Sequence, residues 1–183
     1  MDLTTLHEVV AEGRRLGERR LGNGTELIGH VPHVAPEAWL HILFAPIEAQ
    51  GVSAIRDALS HSLPSDYLEF LQVHNGLRLF SGDLWMGGHR KNYARSGDFM
   101  WQPFCVVQEN REYESIEDGG EFIIGGEERT GATIRYRIKD GGIFKYNQRG
   151  KKPTCGWESL ECMLSSEVSR LSLCFDLSGK RVC

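Results

Sequence analysis

The chain lacks the short signatures that usually announce chemistry. It has no G-x-S-x-G elbow for a serine nucleophile, no G-x-x-x-x-G-K-[ST] loop to cradle phosphates and no H-E-x-x-H pair for a metalloprotease. No C-x-x-C pair occurs. The closest histidines, His30 and His33, flank Pro32 and are too few for a four-ligand zinc site, so they read as loop residues. No metal and no cofactor are therefore expected. No stretch approaches the ~20 apolar residues that a membrane helix needs. The opening MDLTTLHEVVAEGRRLGERR has an acid at position 2 and arginines after its apolar residues, the reverse of a secretory signal. Basic excess is missing too. With 21 Lys+Arg against 25 Asp+Glu the net charge is −4, which argues against a protein that neutralises phosphates along nucleic acid. The five cysteines, Cys105, Cys155, Cys162, Cys174 and Cys183, are an odd set, and they fit reduced thiols in a cytoplasm better than a disulfide framework.

What is present suffices for a folded domain. The 183 residues are 40% hydrophobic, with no linker-like interruption. Residues 3–20 carry Leu3, Leu6, Val9, Val10 and Leu16 at helical spacing, with Arg14, Arg15, Arg19 and Arg20 at the end where the dipole favours cations. Residues 21–33 read as loop, and PEAWLHILF between Pro36 and Pro46 as a short helix. A further helix carries Val52, Ile55 and Leu59, with Ser53 a candidate N-cap. In LPSDYLEFLQVHNGL, Leu63, Tyr67, Phe70, Leu71 and His74 fall on one helical face. Pro64 suits the first turn, and Asn75-Gly76 ends the helix before Leu77–Phe80.

The chain then changes to strand-like patterns. A strand is expected at Leu84–Met86, followed by a long irregular region. Three antiparallel strands are expected near residues 121–125, 132–139 and 142–147, because Ile134, Tyr136 and Ile138 alternate with Arg135, Arg137 and Lys139 and turn residues separate the runs. WESLECMLSSEVSRL places Trp157, Leu160, Met163, Leu164, Val168 and Leu171 on one face of a closing helix. Helices, then strands, then a closing helix give an α+β class: an antiparallel or mixed sheet packed by helices. One structural unit is expected, with a helical N-terminal extension over residues 1–48 and an α+β domain over 49–183.

These residues carry a resemblance. Leu63, Pro64, Tyr67, Phe70, Leu71, Asn75 and Gly76 match the helix signature of the SUKH superfamily of bacterial toxin-immunity proteins and fungal cell-wall regulators. The glycine-rich hairpin IIGGEERTGATIRYRIKDGGIFKYN and the Trp157-led closing helix with Ser159, Leu160 and Glu161 are also similar to later features of that family. The resemblance covers roughly residues 50–172. It implies an α+β sheet with helices around it. For function it implies a cytoplasmic protein that binds and neutralises a secreted or contact-delivered toxin without catalysis. The fungal branch implies the alternative, a regulatory or scaffold domain that binds an endogenous partner.

Two catalytic or ligand readings are weighed and set lower. His74 next to Asn75 resembles a base, but it sits on the apolar helix face where a structural histidine is expected. Gly87-Gly88 before His89, Arg90 and Lys91 resembles a phosphate grip, but a turn accounts for it. Partner binding has a stronger candidate. Between residues 109 and 128 stand eight acids, Glu109, Glu112, Glu114, Glu117, Asp118, Glu121, Glu127 and Glu128, against Arg111 alone. Such a run either steers a basic-cleft partner, such as a nuclease toxin, or is a solvated surface. Trp85, Tyr93, Phe99, Trp101 and Tyr113 lie in or near the same irregular region. Of these, Trp85, Trp101 and Tyr113 are the aromatic anchors expected beside the acids.

Overall fold

The computed structural model describes residues 1–59, 63–111, 120–137, 140–148, 150 and 152–183. Five α-helices, α1 Thr4–Gly13, α2 Ala49–Ala58, α3 Ser65–Val73, α4 Val106–Asn110 and α5 Leu160–Ser172, surround a single sheet. Its strands are β1 Glu18–Arg20, β2 Glu26–His30, β3 Trp39–Leu43, β4 Leu77–Leu79, β5 Leu84–Met86, β6 Glu121–Gly126, β7 Thr133–Arg137, β8 Ile143–Tyr146 and β9 Pro153–Trp157. They lie in sequence order, and every neighbouring pair is antiparallel. The protein is thus a mixed α+β fold built on a nine-stranded antiparallel sheet.

Alternation along the strands gives the sheet two faces. On the inner face Ile28, Leu43, Leu77, Leu79, Leu84, Met86, Ile124, Ile134, Tyr136 and Ile143 pack in one cluster with Leu6 and Val10 of α1, Ile55 of α2, Tyr67, Phe70 and Leu71 of α3, and Leu160, Met163, Leu164, Val168 and Leu171 of α5. α5 starts at a true N-cap, where the Ser159 hydroxyl accepts from the Cys162 N–H. On the outer face Leu21, Leu27, Trp39, Ile42 and Phe44 make a smaller cluster, covered by Trp101.

Several expectations are corrected. Residues 39–43 form a strand with every residue buried, in place of the expected short helix. The loop expected at residues 21–33 contains β2, and the first helix stops at Gly13. A 3₁₀ turn over Arg14–Leu16 follows it, then β1. The expected helical extension over residues 1–48 therefore holds one helix and three strands, and those strands continue the sheet of the rest of the chain. Ser53 lies inside α2, whose N-cap is Glu48. Pro64 is the N-cap of α3 with extended backbone, one residue before the position expected. Trp157 ends β9, an edge strand with no expected counterpart, and does not lead α5. Ile138 and Lys139 lie outside the described residues.

The cysteines also differ from expectation. Cys174 and Cys183 form a disulfide, while Cys105, Cys155 and Cys162 are free. Asp176 organises the intervening turn by accepting from the Ser178 and Lys180 N–H groups, and the Val182 N–H donates to Cys174 O, which returns the chain end to Cys174. An odd cysteine count does not exclude one local bridge of this kind. Among the described residues no helix is long and apolar enough to cross a membrane.

Candidate protein-binding surface

The end of α3 builds the frame for the outer surface. Asn75 is buried, its side-chain amide donates to His89 O at 2.8 Å, and its Oδ1 accepts from the His89 N–H at 2.7 Å. Gly76 has φ +87, and a Cβ there would meet Met86 O at 2.6 Å. Tyr67, fully buried, donates its hydroxyl to Gly87 O at 2.9 Å. The signature helix thus grips residues 87–89 by three side-chain hydrogen bonds as the chain leaves β5.

Beyond His89 the chain loops over the outer face, held by Gln102. The Gln102 Oε1 accepts from the N–H groups of Lys91 and Asn92, and its Nε2 donates to Asn92 and to Phe99 O. Asn23 ties the loop to β2 by donating to Asp98 O and Trp101 O, and Gly22 N–H donates to the Asp98 carboxylate. Beside the exposed Lys91, Asn92, Arg95 and Ser96, the loop also leaves large apolar side chains outside. Tyr93 is 63% exposed, Phe99 62%, Met100 47% and Phe104 37%. Pro103 and Trp101 form the floor, and the Phe104 ring lies 4.6 Å from that of buried Trp85. Two adjoining cavities, of about 310 and 330 Å³, share Phe44, Trp101, Gln102 and Pro103 in their walls. Exposed apolar side chains gathered around adjoining recesses commonly mark an interaction site.

The sequence-derived candidates fall in several places. Trp101 and Glu128 line the same cavity, together with Arg78 and Arg90. Trp85 supports the surface from beneath. Glu112, Tyr113, Glu114, Glu117 and Asp118 lie outside the described residues. Glu109 sits in α4, which follows the aromatic loop directly; the buried Asn110 of that helix is hydrogen-bonded to Ile123 on β6. Glu128 is ion-paired with Arg78. Glu127 is not part of an open acidic patch. It is buried against Lys145, Arg170 and the Thr130 hydroxyl, and Glu167 of α5 shares both cations. Burial opposes ionisation of Glu127 and Glu167, but hydrogen bonds from Lys145 and Thr130 to the first and from Arg170 and Lys145 to the second hold both below the usual glutamate range. This cluster ties α5 to β8 and to the end of β6.

The two set-aside chemical readings acquire physical accounts. His74 caps the end of α3, with Nε2 3.1 Å from that of His7 and its ring edge-on to Phe70; burial, then the proximity of His7, lowers it to about 4. It is a neutral hydrogen-bonding ring near pH 7. In the supposed phosphate grip, the N–H groups of Gly87, Gly88, His89 and Lys91 all donate within the protein. Lys91 is paired with Glu48, and Arg90 stacks over Tyr93. Among the described residues no group of three or more His, Cys, Asp or Glu is placed to hold a metal ion.

Sequence reasoning passed over Met100, Phe104 and Arg78, and read Arg90 only as part of a phosphate grip. The available signal was the run FMWQPF at residues 99–104, rich in large apolar side chains yet without strand or helix periodicity. No protein-family model matches the chain, and no curated protein is significantly similar to it.

Proposed function

We propose that this protein is a SUKH-type immunity protein that binds a cognate toxin and neutralises it by stoichiometric occlusion, without catalysis. The observation that carries the reading is the exposure of Phe99, Met100 and Phe104 around two adjoining cavities, with Tyr93 on the same loop, whose backbone is held from within by Gln102. Aromatic and methionine side chains on a preorganised support bind a protein partner with little ordering cost. The signature residues support the same reading from below, since Tyr67 and Asn75 fasten the segment from which the loop springs. In this account Trp101 and Trp85 stiffen the site. The acidic run of Glu109, Glu112, Glu114, Glu117 and Asp118, which follows the loop in sequence, steers a toxin with a basic cleft.

The experiment is a pull-down from the native cell, followed by co-expression of each captured protein with this chain. Rescue of a toxic partner by one equivalent, lost in a Phe99→Ser/Met100→Ser variant with an unchanged melting temperature, is the expected result. Steady turnover of a toxin's product by the purified chain would refute occlusion. Capture of a non-toxic endogenous protein at the same surface would favour the regulatory alternative. Charge reversal of Glu112, Glu114 and Glu117 should slow association at low salt; an unchanged rate removes the steering role.

A further inference from the structure

The two edges of the sheet are built differently. β1 carries Glu18, Arg19 and Arg20, all exposed, and pairing this strand with a symmetry copy about its centre would set Arg19 against Arg19. β9, Pro153–Trp157, has no charge, and its first four residues are exposed. Its two flanks are Lys152 and Glu158, both exposed, and neither has an ion-pair partner among the described residues.

The register of β9 makes that edge self-complementary. The Arg137 N–H donates to Gly142 O, so alternation in the antiparallel ladder turns the main-chain groups of Ile143 and Lys145 toward β9. Their partners Trp157 and Cys155 face back, leaving the N–H and carbonyl of Gly156 pointing outward, while Thr154 is the extra residue at the register shift and has no register partner in β8. A second copy of β9 placed antiparallel about a two-fold axis at Cys155 sets the outward main-chain groups of each Gly156 against the backbone of the other copy. In that arrangement the Pro153 end of each strand lies beside the Trp157 end of the other, which brings Lys152 of each copy toward Glu158 of the other. Opposite charges thus meet at both ends of a neutral strand.

We propose that this protein self-associates by antiparallel pairing of β9 with β9 of a second copy, joining two sheets across Cys155. Pro153 and the register shift at Lys145/Tyr146 limit the paired stretch, so the dimer is concentration-dependent. At its centre the two Cys155 residues form a non-hydrogen-bonded pair, with Cα atoms about 4.5 Å apart, within reach of a disulfide. The inference does not depend on the identity of any toxin.

The test uses the full chain. Sedimentation equilibrium should show a monomer–dimer equilibrium. Lys152→Glu, which sets acid against acid twice, should weaken it by at least about fivefold, and Lys152→Glu with Glu158→Lys should restore it. In a Cys105→Ser/Cys162→Ser background that keeps the Cys174–Cys183 bridge, diamide should link the dimer through Cys155, and Lys152→Glu should abolish that link at the same protein concentration. Both charged positions are exposed, so unchanged melting temperatures establish that the variants fold. A monomer at every concentration up to about 1 mM would overturn the proposal. So would a dimer indifferent to Lys152→Glu, a charge-swapped variant as weak as the single one, or a monomer whose edge accepts only a strand of a different protein.

Discussion

Replacing Asn75 with Ala should detach the outer loop from the scaffold without disturbing the core. The substitution removes the donor to His89 O and the acceptor for the His89 N–H, at 2.8 and 2.7 Å, from a residue that is 8% exposed. Each stranded group costs about 1–3 kcal/mol when fully buried; because the His89 side is only half-buried and water reaches part of it, we expect about 2–3 kcal/mol in total. Asn75→Asp keeps the acceptor but turns an anionic oxygen toward His89 O, so it should be no better than Ala. The measurements are urea denaturation and amide exchange at His89. Fully protected exchange and a loss under about 0.5 kcal/mol in the Ala variant would refute the clamp, since that is the range of an inconsequential surface change. If the clamp is real and the aromatic loop binds a partner, Asn75→Ala should also weaken binding, although Asn75 lies beneath that surface.

Tyr67→Phe should lose about 1–2 kcal/mol by stranding Gly87 O, whereas Tyr67→Ala or Phe70→Ala should lose about 3–5 kcal/mol, since both rings are fully buried; equal losses for Phe and Ala at position 67 would contradict this split. Burial lowers His41 to about 3, and burial with the proximity of His7 lowers His74 to about 4. Both rings bind protons more readily unfolded, so their contribution is fully present above the ordinary histidine value and is lost as pH falls below it. From pH 7 to pH 5 each should cost about 2 kcal/mol, and His74→Gln should remove one share of that slope in denaturation curves. Cys183→Ser should lower stability by about 2–3 kcal/mol, the loop-closure value for a sequence separation of 9, and an unaltered wild-type melting curve in reductant would count against the bridge.

Features specified by local pattern were readable in the chain. The signature helix, β4, β5 and the β6–β7–β8 meander follow from capping residues, turn residues and alternation, and they lie within a residue or two of expectation. β3 was not readable because it is buried on both faces. A continuous apolar run such as WLHIL loses the alternation that separates strand from helix, and Pro36 and Pro46 suggested helix boundaries. β1 and β9 are edge strands, charged in one case and almost wholly exposed in the other, so neither carries a hydrophobic pattern. The site was half readable: aromatics and acids were visible as composition, but Trp85 buried beneath Phe104, Phe99 exposed, and Glu127 binding Lys145 are decided by contacts between residues distant in sequence.

β1 and β9 lie at opposite margins of the sheet, yet α1 and α5 meet across the inner face, where the Asp2 N–H donates to Glu161. α1 therefore completes its packing only after α5, more than 140 residues further along, has docked. A nascent chain halted ahead of Leu160 would hold its strands with the part of the inner face that α5 covers left bare, and chaperone demand should peak at that length. Docking of α5 is then the step that closes the apolar side against aggregation.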